Sequence, residues 1–458
     1  MKKIIEKQKE YFFSGKTRSM DFRVEKLKKL KEVYLKREKD IIEVLKKDLG
    51  RSPVESYMAE IGAVVEEINY AIKNLRSWAK PQKVKTPLMS FRGNSYIYLE
   101  PYGVSLILGT WNYPFSVTFC PLIGSIAAGN CSVVKPSEVS KNSSKLIAEI
   151  IKEVFDEEYV AVVEGGPETA QALLDEKFDY IFHTGSVAVG KIIMQAASRN
   201  LTPLTLELGG KNPCIIGKQV DMETAARRIA WGKYVNAGQT CIAPDHIFVP
   251  RGMKEDLISK LKRCLEEFYG SDPISSPDYA RIVNEAHFER LSKLLGKGKI
   301  VVGGQTDKEK LYIAPTVIKG VSWEDPIMQE EIFGPILPII EYDDLSDVIL
   351  GINSRPKPLA LYFFSKDKEA QERIVSQTSS GGVCINATLF HNLNRNLPFG
   401  GVGESGMGSY HGRASFDAFS YKKSVLNKSF RPEIKMVYPP YGNKLGLIRN
   451  IWGIISNF

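Results

Sequence analysis

The chain contains 458 residues, of which 43% are hydrophobic and 25% are charged, which is ordinary globular composition over a length of two or three domains. Its six cysteines show no C-x-x-C spacing and form no cluster with its five histidines. This argues against a disulfide scaffold and a metal site, and it predicts a cytoplasmic protein. The net charge of +9 comes with no recognisable nucleic-acid-binding module, so we expect a solvated basic surface and no nucleic-acid partner.

The two ends of the chain bear on membrane contact. The first residues, MKKIIEKQKEYFFSGKTRS, lack the long apolar core of a signal peptide. The last residues, LGLIRNIWGIISNF, are apolar, but Arg449 interrupts them and they are fewer than the roughly 20 apolar residues that span a bilayer. Such a segment either lies on a membrane surface, which would make the protein peripheral to the membrane, or docks on a protein groove. We expect it to dock within the protein.

Helical periodicity, with apolar residues three and four positions apart, extends from Phe22 to about Trp78. Two prolines in KPQKVKTPL, from Lys80 to Leu88, predict a connection, and SYIYLEPYG predicts a strand. From Gly103 onward, short apolar runs alternate with helical patterns. The predicted strands are VSLILG, CSVVKPSE, YVAVVEGG and FDYIFHTGS, and the predicted helices are SVTFCPLIGSIAAG, SSKLIAEIIKEVF with Ser143 or Ser144 as N-cap, PETAQALLD and VAVGKIIMQAAS.

This alternation of apolar strands and helices predicts a parallel sheet that is covered by helices on both faces. Sheets of this kind bind ligands at the carboxyl ends of their strands. A second α/β region begins after LTLELGG, and the sequence leaves the order of its strands open.

Cys241 occupies an unusual position for a free cysteine. The helical stretch DMETAARRIAWGKYVNA, capped by Asp221, should end at Gly238, and DHIFVP begins the next strand. Cys241 therefore lies in a tight connection that could present its thiol to a cleft, although an inert loop cysteine fits the same pattern. The other cysteines have apolar or helical contexts typical of the core: Cys120, Cys131, Cys214, Cys264 and Cys384.

Two polar residues at predicted strand ends could assist a thiol. Glu207 lies on the face opposite Leu206 and precedes two glycines, which permit close approach of a ligand or another backbone. In a dry cleft its carboxyl would have a raised pKa and could act as a general base; otherwise it is a solvated strand carboxylate. Asn112 in GTWNYPF could donate to an oxyanion or could bond to its own turn.

Several motifs are typical of nucleotide contacts, each weakly. Lys135 and Glu138 in VVKPSE could meet a phosphate or ribose hydroxyls, or they could be surface charges. In HTGSVAVGK, Gly185, Ser186 and the following helix N-terminus could hold a pyrophosphate. The other two motifs, QEEIFGP and LPFGGVGESGMG, also fit a turn and a flexible loop.

In combination and order, GTWNYPF, VVKPSE, HTGSVAVG, LELGGKNP, NAGQTC, EEIFGP and LPFGGVGESGMG resemble the NAD(P)-dependent aldehyde dehydrogenase superfamily. The resemblance extends from about residue 18 to residue 424. The short chain, NATLFHNLNRNLPFGG and YPPYGNKL are most similar to the class 3 branch, which includes fatty-aldehyde dehydrogenases.

The resemblance implies a role for each motif position. Cys241 corresponds to the nucleophile, Glu207 to the general base and Asn112 to the oxyanion donor. The positions matching NAD-binding residues (NADP being possible) are Lys135 and Glu138 near the adenine ribose, Gly185, Ser186 and Gly190 at the phosphate turn, and Glu331 and Phe333 at the nicotinamide ribose and ring. Tyr113 and Phe399 correspond to the substrate cleft.

The resemblance also implies an α/β architecture in three parts. A Rossmann-type NAD-binding domain would comprise residues 1–83 and 103–208, and a catalytic domain residues 209–412. Residues 84–102 and 413–437 would pair through SYIYLEP and FSYKKSVL into a bridging unit that joins two subunits as a homodimer. Residues 438–458 form the tail.

The implied activity is oxidation of a medium-chain, long-chain or aromatic aldehyde to the carboxylic acid through a thiohemiacetal and a thioester on Cys241. Two alternatives remain open. A CoA-acylating enzyme would pass the thioester to CoA, which the presence of Glu207 argues against. A catalytically silent NAD-binding or scaffold protein would not need both Cys241 and Glu207.

Overall fold

The structure is a computed structural model that describes residues 1–87, 90–433 and 435–456. Five α-helices occupy the chain before the first strand; the helical prediction from Phe22 to about Trp78 is confirmed, and the first helix, near the N-terminus, was not predicted. Between the fourth and fifth of them the backbone forms a π-helical segment, Tyr57–Gly62, which is a rare conformation often found at functional sites. The helices are α1 (Lys2–Phe13), α2 (Met20–Lys36), α3 (Glu38–Leu49), α4 (Pro53–Ser56) and α5 (Ala63–Trp78).

The predicted connection from Lys80 to Leu88 contains a strand, β1 (Gln82–Val84), which pairs with β2 (Gly93–Pro101). The sequence did not predict β1 because all three of its residues are exposed and it has no buried face to mark it. Leu88 lies outside the described residues.

The strands and helices predicted from Gly103 onward are confirmed. They are β3 (Val104–Leu108), α6 (Ser116–Ala128), β4 (Cys131–Lys135), α7 (Lys141–Val154), β5 (Val160–Val162), α8 (Pro167–Leu174), β6 (Tyr180–Thr184), α9 (Val187–Ser198) and β7 (Leu204–Glu207).

The prediction that Ser143 or Ser144 caps α7 is wrong. The helix begins at Lys141, and both serines are buried inside it. The carboxylate of Asp48, at the end of α3, accepts from the backbone N–H groups of Asn142 and Ser143 at 3.2 and 2.7 Å. A residue 95 positions away therefore satisfies the free N–H groups of this helix, and no local pattern could reveal it.

The second half of the chain supplies another α/β unit and a small hairpin. Its elements are β8 (Pro213–Ile216), α10 (Met222–Tyr234), β9 (His246–Pro250), α11 (Lys254–Tyr269), α12 (Glu285–Ser292), β10 (Lys299–Val302), β11 (Thr306–Asp307), β12 (Tyr312–Ile313), β13 (Thr316–Lys319), β14 (Ile336–Tyr342), α13 (Leu345–Asn353), β15 (Ala360–Phe364), α14 (Lys368–Gln377) and β16 (Gly382–Ile385).

The chain ends with β17 (Gly406–Met407), α15 (Arg413–Ala418), β18 (Ser420–Lys428) and α16 (Leu445–Ser456). Among the described apolar side chains of the tail, Leu445, Leu447 and Trp452 are each more than half exposed, whereas Ile448 and Ile451 are partly buried, so docking of the tail within the protein stays a prediction. Phe430, Tyr438 and Tyr441, which precede α16, are exposed too. No helix in the described ranges has the length and apolar composition to cross a membrane.

The first large sheet has the strand order β17-β7-β6-β3-β4-β5. Its β3 to β7 pairs are all parallel, as predicted, and β17 adds an antiparallel edge beside Glu207. The second sheet has the order β10-β13-β14-β9-β8-β15-β16 and is parallel except at β10. Most buried apolar side chains of both sheets join one continuous core, so the two units pack as one body.

The third sheet is a ribbon of β1, β2 and β18. β18 pairs with β2 along its whole length, from Ser420 opposite Pro101 to Lys428 opposite Gly93. The SYIYLEP and FSYKKSVL segments are therefore partners within one chain.

Candidate active site

The turn before Cys241 has an unusual backbone. Helix α10 ends at Tyr234, four residues earlier than predicted, and Asn236, Ala237 and Gly238 all have positive φ angles of 53°, 51° and 74°. A side chain at Gly238 would lie 2.3 Å from the carbonyl oxygen of Gly334, so only glycine fits there. The left-handed turn ends the helix and places Cys241, partly exposed, in the connection to β9, as predicted.

The Cys241 thiol faces a cavity of about 580 Å³ at the carboxyl ends of the first sheet. Burial, and then the carboxyl groups of Glu331 and Glu207, raise the pKa of this thiol above its ordinary value. The resting site therefore holds a neutral thiol, and formation of the thiolate needs a nearby proton acceptor.

Glu207 is the last residue of β7 and lies in the same cavity wall as Cys241. It is 2% exposed, so the alternative of a solvated strand carboxylate is wrong. Neither of its carboxyl oxygens has a hydrogen-bond partner in the structure, and burial raises its pKa well above the usual range. An unpartnered buried carboxyl is costly to keep, and a raised pKa suits a group that accepts and returns a proton.

Asn112 follows β3 and is held against the Cys241 turn. Its side-chain Nδ2 donates to the carbonyl oxygen of Gln239 at 3.1 Å, and the Nδ2 of Asn236 donates to the carbonyl oxygens of Asn112 and Gln239, also at 3.1 Å. The Nδ2 group of Asn112 keeps a second hydrogen that can be donated to a ligand. Asn112 lines the cavity together with Cys241 and can donate this hydrogen to a ligand there.

Tyr113 also lies in the cavity wall, and its hydroxyl shares a hydrogen bond of 2.7 Å with Thr240. Phe399, the other predicted cleft residue, is 7% exposed and packs among His391, Tyr410 and His411. The structure places it in the core, outside the cavity lining.

The predicted phosphate turn also borders the cavity. Gly185 and Ser186 line it between β6 and α9, and the hydroxyl of Ser186 accepts from the N–H of Val189 as the helix cap. A side chain at Gly185 would overlap the ring of His183. Gly190 is in α9 and faces Leu208, where a side chain would come within 2.8 Å, so it serves close packing of helix on strand and does not line the cavity.

Lys135 and Glu138 lie outside this cavity, at the end of β4. The ammonium of Lys135 is bonded to the carboxylate of Glu138 at 2.8 Å, with the lysine side chain buried and the glutamate 40% exposed. The structure therefore brings the two predicted ribose residues together as an ion pair.

Glu331 and Phe333 line the cavity on a loop before β14. Burial, and then the charge of Asp245, raise the pKa of Glu331 to about 8. Its carboxyl group lies against Gly209, where a side chain would be only 2.0 Å away, so the glycines after Glu207 do serve a close approach. Phe333 has a positive φ of 47°, and its ring packs edge-on against Trp111 at 5.4 Å.

Three charged residues that the sequence did not single out hold this loop. Asp245 accepts from the N–H of Ile332 at 2.8 Å and pairs with Lys211, which also donates to the Ile327 and Glu330 carbonyls at 3.0 Å. Arg290 donates to the Ile332 carbonyl at 2.7 Å. Lys211 lies in LELGGKNP and Asp245 lies in NAGQTCIAPD, each next to a buried strand. Charged residues at such positions could have been singled out from the sequence as candidates for the site.

The geometry of these residues fits a bound dinucleotide. The capped N-terminus of α9 and the glycine turn before it could hold the phosphates, and the loop that carries Glu331 could hold the part of the dinucleotide nearest Cys241. Among the described residues, no group of three or more His, Cys, Asp or Glu side chains is arranged to bind a metal ion.

Comparison with known proteins agrees with this site. The model of the aldehyde dehydrogenase family matches residues 1–425. The chain is 49% identical to 4,4'-diaponeurosporen-aldehyde dehydrogenase of Staphylococcus aureus over 96% of both chains. It is 46% identical to aldehyde dehydrogenase family 3 member B1 of Rattus norvegicus over 96% of this chain and 94% of the relative.

Solved structures show the same fold. The substrate-bound Staphylococcus aureus AldH has a TM-score of 0.96 and 48% identity, covering 98% of this chain and 99% of that one. An NAD-dependent aldehyde dehydrogenase from Sinorhizobium meliloti has a TM-score of 0.87 and 28% identity, covering 94% and 87%. The chain therefore belongs to the aldehyde dehydrogenase family, in its class 3 branch, and is an NAD(P)-dependent enzyme that oxidises aldehydes.

Proposed function

We propose that Cys241, Glu207 and Asn112 carry out this oxidation as nucleophile, general base and oxyanion donor. The observation that supports the proposal most is their convergence: three residues from three separate elements line one cavity together with the phosphate turn. The unpartnered carboxyl of Glu207 adds to it, because no structural contact accounts for keeping that group buried.

The Cys241 thiol, which is partly exposed, loses its proton to water, and the resulting thiolate adds to the aldehyde carbon and forms a thiohemiacetal. The Asn112 amide and the backbone N–H of Cys241 stabilise the oxyanion that results. The bound dinucleotide supplies the hydride acceptor. Loss of a hydride from the adduct leaves an acyl thioester on Cys241. Glu207 then accepts a proton from water, the hydroxide adds to the acyl carbon, and cleavage of the carbon–sulfur bond releases the carboxylic acid and the thiolate.

We propose a medium-chain or long-chain aliphatic or aromatic aldehyde as the substrate. Trp111, Tyr113 and Val117 line the cavity around Asn112 and would pack against an apolar chain or ring. One relative is named for 4,4'-diaponeurosporen-aldehyde, which is consistent with an apolar substrate. Transfer of the thioester to CoA remains the second candidate for its release, and Glu207 in the cavity wall favours water instead.

Replacing Glu207 with Gln should retain the first release of NADH and abolish steady-state turnover, because hydride transfer precedes the step that needs the base. Rapid mixing with NAD and a medium-chain aldehyde, with and without CoA, measures both phases. Glu157→Gln at the surface is the matched control and should behave as wild type. Unchanged steady-state turnover in Glu207→Gln would refute the assignment.

The steady-state rate of the wild type should also rise with pH above neutrality. Burial raises the pKa of Glu207 well above its usual range, so the carboxylate form, which accepts the proton, increases over a higher pH range than it does for an ordinary glutamate. Steady-state rates measured across the pH range test this, and a rate that stays flat or falls above pH 7 would contradict the role of Glu207 as the base.

We propose that the enzyme prefers NAD to NADP. The half-exposed carboxylate of Glu138 would repel a 2′-phosphate, and its bond to Lys135 occupies the cation that could otherwise pair with that phosphate.

Glu138→Gln should therefore shift the ratio of kcat/KM towards NADP by roughly fivefold, the size of one exposed ion pair. Steady-state kinetics with both cofactors measures the ratio. Adding Lys135→Met to this variant should remove the gain. Equal kcat/KM values for the two cofactors in the wild type would contradict the proposal.

We propose that the protein is a cytoplasmic homodimer joined through the β1-β2-β18 ribbon. β18 is a nine-residue edge strand with one side unpaired in the described sheet, and such edges pair readily with another chain. Light scattering should give the mass of a dimer, and substitution of Val425 on β18 with Pro should shift it towards monomer. A wild type that is only monomeric would remove this proposal.

A further inference from the structure

Arg51 is a fully buried arginine that lies behind the active site. It lies two residues after the end of α3, and its side chain has no solvent exposure. Arg51 does not line the cavity, and its side chain offers no accessible surface to a substrate or a cofactor. Buried arginines are rare unless every donor finds an acceptor, so its partners indicate its purpose.

The guanidinium group of Arg51 bonds to both loops that carry the proposed oxyanion donors. Its Nη2 donates to the main-chain carbonyl of Asn112, and its Nε donates to the side-chain oxygen of Asn236 at 3.3 Å. It also stacks on the ring of Tyr113, at 4.5 Å from the centroid. One planar group therefore spans the end of β3 and the left-handed turn before Cys241.

Glu60 fixes the remaining side of the guanidinium group. Its carboxylate accepts from Arg51 Nη1 at 2.9 Å and from the backbone N–H of Ser116, the first residue of α6, at 2.7 Å. Both members of this ion pair are completely buried. The π-helical segment Tyr57–Gly62 carries Glu60 at this depth.

A buried ion pair of this kind adds little to the free energy of unfolding compared with apolar side chains of the same volume. The hydrogen bonds that the pair makes to neighbouring segments therefore explain its presence better than stability does. The Arg51–Glu60 pair fixes the main-chain carbonyl of Asn112 on the side away from the cavity, and the side chain of Asn112 lines the cavity. The second anchor, Asn236, donates to the Gln239 carbonyl, two residues before Cys241.

We propose that Arg51 is a positioning residue, which sets the distance between the Asn112 amide and the Cys241 N–H that an oxyanion requires. This inference rests on the proposed roles of Asn112 and Cys241. Arg51 acts only through those two groups, and Glu60 acts through Arg51.

Arg51→Lys tests the proposal with the charge retained. A lysine can still pair with Glu60, but its single ammonium lacks the planar fork that reaches Asn112 and Asn236 together. We expect the rate constant of the NADH burst, at saturating NAD and aldehyde, to fall about ten- to a hundredfold, the size of a misplacement near 1 Å. The affinity for NAD should stay within twofold, because Arg51 does not border the cofactor side.

A double-mutant cycle with Asn112→Ala separates positioning from general damage. Asn112→Ala alone should reduce the burst rate constant by about 10²–10³, as loss of one oxyanion donor does. Adding Arg51→Lys to Asn112→Ala should slow the burst by a smaller factor than the same change does in the wild type, because one of the two groups that Arg51 positions is already gone. Full multiplication of the two losses would overturn the proposal.

Arg23→Lys is the matched control. Arg23 is 4% exposed and likewise donates to main-chain carbonyls, those of Thr17 and Ala127. Arg23→Lys should lower Tm without slowing the burst, and a slowing equal to that of Arg51→Lys would overturn the proposal.

Glu60→Gln gives a second variant if Arg51→Lys does not fold. It should lower the burst rate constant by a smaller factor, and its effect should likewise shrink in combination with Asn112→Ala. Absence of a burst in the wild type would instead reject the proposed function itself.

Discussion

The carbonyl oxygen of Gln239 accepts hydrogen bonds from two buried side-chain amides, those of Asn112 and Asn236. Gln239 is itself fixed, because its side chain bonds to the Asn236 and Arg281 carbonyls and to the N–H of Val283. Through this shared acceptor the loop after β3 and the turn before Cys241 become one rigid piece. The proposed chemistry depends on it, since the two oxyanion donors belong to segments more than a hundred residues apart.

The reacting groups of the proposed site share one electrostatic feature. Cys241, Glu207 and Glu331 all have raised pKa values, each chiefly through burial. Two cations near them are held in ion pairs, Lys211 with Asp245 and Arg51 with Glu60. Raised pKa values favour the neutral form of a thiol or a carboxyl, so negative charge at these groups is costly until the reaction creates it. Fixed dipoles in a dry cavity stabilise such charge strongly because they do not have to reorient.

The sequence predicted best what depends on local pattern. Alternating apolar strands and helices gave the parallel order of β3 to β7, and the cap at Asp221 and the placement of Cys241 in a connection were visible from a few neighbouring residues. Resemblance then assigned roles that spacing alone left open. Neither Phe399 nor Gly190, which the resemblance assigned to the cleft and the phosphate turn, lines the cavity, and their roles stay predictions because a family role does not specify where a residue packs.

What the sequence could not give depends on distant partners. Asp48 caps α7 from 95 residues away, and β1 exists only because β2 accepts it as an edge. Arg51 carries no motif, and its importance emerges only when its three acceptors are seen together. The exposure of Leu445, Leu447 and Trp452 in the tail could not be predicted either, because the sequence of an apolar segment does not show whether the rest of the chain forms a groove that binds it.

The most direct test of the central claim is a rapid-mix NADH trace with NAD and a medium-chain aldehyde, on wild type and on Cys241→Ser. The account predicts a burst of up to one NADH per subunit in the wild type, followed by a slower steady phase, and no burst in the serine variant, because a serine hydroxyl is a much weaker nucleophile than a cysteine thiolate. A burst of equal amplitude and rate in Cys241→Ser would show that hydride transfer does not proceed from an adduct on Cys241, and it would contradict the mechanism at its first step.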